Sequence, residues 1–202
     1  MELLSISVKI ILLTTIIIDS GFLIFIFLKR KRGLIYYLLM IHILGILGWA
    51  ISILLILQYI NVFAAKLTFV FAIILAVAKF WFIKVFPENT FPKQIINYWS
   101  LLPAFFILIV SFLDGALFRE IKVVDGYYIN VTNGTYSMPY FIIITYFLIY
   151  PLFILFQKYR KGKYNAVIKN QLKYLFAGMT LFFITGLLTN YILPVFFNVY
   201  FF

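Results

Sequence analysis

Six long apolar stretches, cut by short polar or basic linkers, make up most of the chain. Residues 10–28 hold a single charge, Asp19, and five further stretches read the same way. A helix needs about 20 mostly apolar residues to cross the ~30 Å hydrocarbon layer of a bilayer. The pattern therefore predicts spans at about 7–28, 34–57, 67–86, 97–117, 139–157 and 174–194. The expected fold class is an all-α polytopic membrane protein, a bundle of six transmembrane helices forming one domain over residues 1–202. One loop breaks the pattern. In 118–138, β-branched and aromatic runs (Ile121–Val124 and Tyr127–Thr132) flank Asp125-Gly126, and a second turn signal follows at Asn133-Gly134. That is the signature of a short β-hairpin, expected on the extracytoplasmic side.

Charge sets the expected orientation. Of the 17 Lys and Arg residues, twelve lie in or beside the linkers at 29–33, 87–96 and 158–173. Four (Lys9, Lys66, Arg119 and Lys122) fall on the opposite side, and Lys79 lies within a span. The positive-inside rule places the richer set in the cytoplasm, giving a multi-pass protein of the inner (cytoplasmic) membrane with its N-terminus outside. Because the net charge of +11 is explained by those linkers, no nucleic-acid partner is expected. The Met1-Glu2 start lacks a basic leader region, so the first span is expected to be retained. Six spans starting outside also end outside, and the apolar tail 192–202 reads as a bundle stopped short of a seventh span.

Composition narrows the chemistry. The chain is 65% hydrophobic and 11% charged, far from the balance of a water-soluble domain. With no Cys and one His, it offers no thiolate site and no metal-ligand cluster. Neither a phosphate-binding glycine loop nor a nucleophile elbow is present, so neither catalysis nor a cofactor is expected. Ionisable groups within spans are the default candidates in a membrane protein, because each is costly there. Asp19, His42 and Lys79 fall on three different spans at a shared depth, roughly 10–14 Å from the basic side at about 1.5 Å per residue. They are expected to form one polar cluster. Either Asp19 and Lys79 make a structural ion pair while His42 bonds a backbone carbonyl, or the layer is a switch with His42 titrating near neutral pH. Small residues at Gly45, Gly48, Ala72, Ala76, Gly178 and Gly186 are candidates for close helix packing. Pro103, Pro151 and Pro194 are candidate kinks. Aromatics near span ends, including Tyr36, Tyr37, Tyr59, Tyr98, Trp99, Tyr159 and Tyr174, are expected to anchor the interface, whereas Tyr127, Tyr128 and Tyr136 could line a ligand entrance.

Four local features carry a resemblance. A tryptophan sits in a Gly/Ala-bearing second span (Gly45-Ile46-Leu47-Gly48-Trp49-Ala50), and the third span ends in Phe86-Pro87. The outer loop is hairpin-like. The sixth span starts with Lys169-Asn170-Gln171-Leu172-Lys173-Tyr174 and Gly178 follows, with Asn190 and Pro194 near its far end. The chain thus resembles the N-terminal seven-span sensor region of bacterial membrane histidine kinases, truncated before the seventh span. What the resemblance implies is a receptor-like module that senses a small-molecule or lipid ligand, or the bilayer itself. It would act on a cytoplasmic output domain absent from this chain, through which it could homodimerise. The alternative is a small transporter or a membrane subunit of a larger complex.

Overall fold

The computed structural model describes residues 2–28, 33–59, 61–90, 99, 101–124 and 128–187. Among the described residues, six helices and one hairpin follow in order: α1 (Glu2–Leu28), α2 (Leu34–Tyr59), α3 (Val62–Val85), α4 (Leu101–Ser111), β1 (Phe118–Val124), β2 (Tyr128–Asn133), α5 (Ser137–Lys161) and α6 (Ala166–Leu187). Among the described residues, four helices are long and apolar enough to cross a membrane: Ile6–Leu28, Leu34–Tyr59, Val62–Val85 and Ser137–Lys161. Large apolar side chains on their outer surfaces face away from the protein, with Ile17 and Phe27 each 71% exposed. Such surfaces suit hydrocarbon, and the chain is a multi-pass membrane protein.

Two expected spans look different. The one expected at 97–117 contains an 11-residue helix, Leu101–Ser111, about 16 Å long at about 1.5 Å per residue and short of the ~30 Å hydrocarbon layer. It ends before a turn through Asp114 and Gly115, where Gly115 adopts φ +69°, a conformation glycine reaches without strain. Pro103 consequently lies in the first turn of α4, where no intrahelical donor is lost, rather than at a kink. The helix expected at 174–194 begins at Ala166 instead, so the basic stretch Lys169–Lys173 is helical rather than a linker. Asn165 explains the early start. Its side chain accepts from the Ile168 amide at 2.9 Å, an N-cap bond. Asn61 caps α3 in the same manner, accepting from Phe63 and Ala64, which brings Lys66 inside that helix. Pro151 is buried within α5; Pro194 lies outside the described residues.

The helices pack as a row, α1 on α2, α2 on α3, α3 on α5 and α5 on α6, with α4 also against α3. Three apolar seams hold the row. Val8 and Leu12 of α1 meet Ala50, Ile53 and Leu57 of α2. A central core joins α2, α3, α4, α5 and the hairpin base through Ile56, Ile73, Phe80, Ile107, Phe118 and Phe147. Ile83, Leu155, Leu172 and Met179 tie α3, α5 and α6 together. Aromatic edges pack inside the central core, Phe80 against Phe147 at 5.2 Å and Phe69 against Tyr140 at 5.1 Å between ring centroids. The hairpin is antiparallel with Val124 opposite Tyr128, and the Asp125-Gly126 turn lies outside the described residues. Its first strand starts at Phe118, earlier than expected. Gly134 continues the pairing, its amide bonding Leu117 O at 2.9 Å. A Cβ at Gly134 would run into the carbonyls of Gly115 and Ala116, so only glycine fits.

Candidate functional site

Polar side chains gather at three levels of the α3 helix: at each end and near the middle.

At the middle, the α2–α3 seam is tightened by missing side chains. A Cβ at Gly45 would stand 2.7 Å from Leu75 Cβ, and one at Gly48 would meet the Phe71 ring. Ala76 is fully buried and Ala72 half-buried in α3. This close approach puts His42 Nδ1 3.0 Å from Leu75 O, so the ring donates through Nδ1 to that carbonyl. Lys79 follows Leu75 by one helical turn, is buried, and interacts electrostatically with His42. His42 and Lys79 therefore share one seam. Asp19 sits half-exposed on α1, which packs on α2 through Val8, Leu12 and Ile16 among its apolar residues, and among the described residues no salt bridge joins Asp19 to Lys79. Of the remaining small residues, Gly178 has open space around it, with nothing within 4 Å of a built Cβ. Gly186 belongs to α6, and its surroundings lie outside the described residues.

At the basic end, one turn joins four parts of the chain. α3 stops at Val85 because Pro87 lacks an amide hydrogen and disfavours helix at Phe86. The carbonyls left at a helix C-terminus need donors. Lys158, in the last turn of α5, supplies them: its ammonium donates to Lys84 O at 2.9 Å, to Phe86 O, and to Glu88 Oε2 at 2.9 Å. The other Glu88 oxygen accepts from the Tyr164 hydroxyl in the linker before α6. Asn89, at φ 56°, turns its Oδ1 to accept from the Ile35 amide at 3.0 Å, which caps α2. Gly33 leaves room for this, since a Cβ there would come within 2.9 Å of Asn89 Nδ2. Burial pushes the Glu88 carboxyl up, but the hydrogen bonds from Tyr164 and Lys158 and the Lys158 charge outweigh it and hold the group below the usual carboxylate range. Burial and the bond to Glu88 push the Tyr164 hydroxyl up to about 12.

At the hairpin end, Lys66 crosses from α3 to the end of α4, donating to Phe112 O at 2.9 Å and pairing with Asp114 at 2.5 Å. The hydrogen bond and charge of Lys66 hold the Asp114 carboxyl below its ordinary value. Nearby, Tyr140 of α5 reaches Phe69 O of α3 at 3.4 Å.

The basic-end joint escapes sequence reasoning because its partners are 70 and 76 positions apart. One signal pointed to it: Glu88 is the only acid in the lysine-rich linkers, and a lone carboxylate among so many ammonium groups finds a partner. The aromatic candidates divide by position. Tyr37, Tyr59, Trp99, Tyr159 and Tyr174 are exposed, as interfacial residues are, Tyr36 is half-buried, Tyr98 lies outside the described residues, and Tyr136 is exposed beside the hairpin. The Tyr127 and Tyr128 side chains lie outside the described residues. Among the described residues no three His, Cys, Asp or Glu side chains converge as metal ligands.

No protein-family model, no curated protein and no solved structure matches the chain.

Proposed function

We propose that this chain is the membrane-embedded sensing module of a bacterial signalling protein. It receives a ligand or bilayer signal at its hairpin end and passes it along α3 to the basic end. There it acts on a cytoplasmic output domain of the histidine-kinase type, outside this chain. The basic linkers face the cytoplasm of an inner-membrane protein in this reading, and the hairpin faces outward.

One observation carries the reading. α3 touches α2, α4 and α5, and is tied by a half-exposed lysine arrangement at each end: Lys66 to Asp114 and Phe112 at one, Lys158 to Glu88 and the Lys84 carbonyl at the other. A change at the first tie moves the element that anchors the second. A signal has to favour one of two arrangements by binding it better, and a helix held at both ends is the element that can have two.

Amide hydrogen exchange on the protein in nanodiscs tests this. Lys66→Met keeps the length of the side chain and removes its charge. Exchange is expected to rise at residues 86–90 and 162–165 as well as at 112–118. A rise confined to 112–118 refutes transmission and favours the rival assignment, a transporter or a passive membrane subunit.

A further inference from the structure

A surface cleft of about 520 Å³ opens at the base of the hairpin, between the start of α3, the Asp114-Gly115 turn and β1. Its size lies within the range of small-molecule sites, about 300–1,000 Å³. Three cations (Lys66, Arg119 and Lys122) and two acids (Asp114 and Glu120) line it. Lys66 is committed to Asp114 at 2.5 Å and Lys122 to Glu120 at 3.3 Å. Among the described residues Arg119 has no acidic side chain at ion-pair distance. Among the described residues that line it, the cleft therefore carries one uncompensated positive charge, and it is a guanidinium.

The backbone aims that group. Successive side chains of a regular strand alternate between faces, so Arg119 would point away from the face shared by Glu120 and Lys122. The pairing register slips between Phe118, opposite Asn133, and Glu120, opposite Thr132, leaving Arg119 without a partner residue on β2. A bulge of this kind redirects a side chain, and Arg119 lines the same cleft as Glu120 and Lys122. Below it the wall turns apolar, with Phe118 buried and Val62 exposed at the start of α3. Phe63, Phe112 and Leu113 extend the exposed apolar surface past the cleft, where the helices end.

We infer that the cleft binds an amphiphile with a single negative charge, its oxyanion head on Arg119 and its apolar tail along Val62 and the adjoining helix ends. Arginine is suited to the head, because its planar fork pairs an oxyanion through two parallel bonds. Two sources supply this chemistry: a free fatty carboxylate and an anionic phospholipid of the bilayer. The site deepens the sensing role proposed above and rests on it for its purpose, though not for its chemistry.

Native mass spectrometry of the protein released from nanodiscs tests the site. One arm uses zwitterionic phosphatidylcholine discs with added decanoate; the other uses discs containing phosphatidylglycerol. Wild type is expected to retain one adduct in one arm, and that arm identifies the source. Arg119→Gln is expected to weaken retention about tenfold or more, as loss of a charge-assisted contact implies. Lys122→Gln removes the same charge from a residue already paired, and is expected to weaken it less than about threefold. Circular dichroism confirms that both variants fold. Absence of a saturable adduct in both arms overturns the site, as does equal retention by Arg119→Gln; the Lys66→Met exchange experiment then decides the sensing role alone. Specific retention without any exchange response at residues 86–90 upholds the site and removes the sensing role.

Discussion

Gly45→Ala is the sharpest probe of how the central seam is built, because one methyl group disturbs two interactions at once. The added Cβ would lie 2.7 Å from Leu75 Cβ and 3.0 Å from its Cα and N. Non-bonded carbons rest at about 3.5–4.0 Å, so α2 and α3 have to separate locally by about 1 Å. Backbone atoms are among those struck, and no side-chain rotation relieves them. The same opening stretches the His42 Nδ1 to Leu75 O bond from 3.0 Å beyond hydrogen-bond range, which ends near about 3.2 Å. Overpacking of this kind costs about 1–3 kcal/mol, and a lost hydrogen bond in a membrane protein adds about 0.6–1 kcal/mol. The expected destabilisation is about 2–4 kcal/mol.

Gly178→Ala is the matched control, since a Cβ there meets nothing within 4 Å. It is expected to be neutral or stabilising by up to about 1 kcal/mol, from helix propensity alone. Reversible unfolding in mixed dodecylmaltoside–SDS micelles, followed by circular dichroism, measures both. The coupling supplies a second check. In the Gly45→Ala background the His42 bond is already broken, so His42→Ala is expected to cost almost nothing further. The reasoning fails if Gly45→Ala falls within about 0.5 kcal/mol of Gly178→Ala, or if His42→Ala costs the same in both backgrounds.

Two further outcomes follow from the ties. The Glu88 carboxyl is held below its ordinary 4.5, so its contribution is present above that value and is lost as pH falls through the folded-state value. Amide exchange at residues 86–90 is therefore expected to accelerate on the acid side of pH 4.5, and Glu88→Gln is expected to abolish that step; an unchanged acid limb in the variant refutes the assignment. Tyr164, raised to about 12 from an ordinary 10.0, works in the opposite sense: its contribution persists below pH 10 and disappears toward pH 12, a loss that Tyr164→Phe is expected to remove from the alkaline limb. In a double-mutant cycle, Asp19→Asn and Lys79→Met are expected to add within about 0.5 kcal/mol, because among the described residues no salt bridge joins Asp19 to Lys79. A larger coupling energy would place Asp19 on the α2–α3 seam.

Long apolar runs made α1, α2, α3 and α5 readable, since bilayer thickness writes helix length directly into the sequence. Where the reading slipped, a local polar interaction had overruled hydropathy. By hydropathy Lys66 is the edge of a linker, yet Asn61 starts the helix ahead of it and Asp114 takes its charge. By charge the segment Lys169–Lys173 is a loop, yet the Asn165 cap makes it helical. The 97–117 run met the hydropathy requirement but contains Asp114-Gly115, a turn that the count of apolar residues discounted. Among the candidate residues, the glycines at 45 and 48 were legible because their spacing puts them near one helix face. The basic-end joint was not. Lys158, Glu88, Tyr164 and Asn89 become neighbours only once four segments have converged, and nothing in any single segment marks them as partners.

The distribution of these contacts follows from the solvent. Between helices in hydrocarbon, burial supplies little net drive, so association depends on close packing and on polar bonds. In this bundle the Lys66 and Lys158 ion pairs lie at the ends of α3, while its interior joins close packing to the His42 bond with Leu75 O. The interior of α3 is held by fit: glycine against Leu75 and Phe71 on one side, aromatic edges of Phe147 and Tyr140 on the other. Its ends are held by charge, in the Lys66 and Lys158 arrangements. Packed interiors admit few intermediate positions, whereas a half-exposed ion pair such as Lys158 with Glu88 can be traded for water at modest cost. A signal at the hairpin end therefore has least to overcome if it releases one end tie and lets α3 move as a rigid body. The joint around Asn89, which also caps α2, is then where that movement is felt by four segments together.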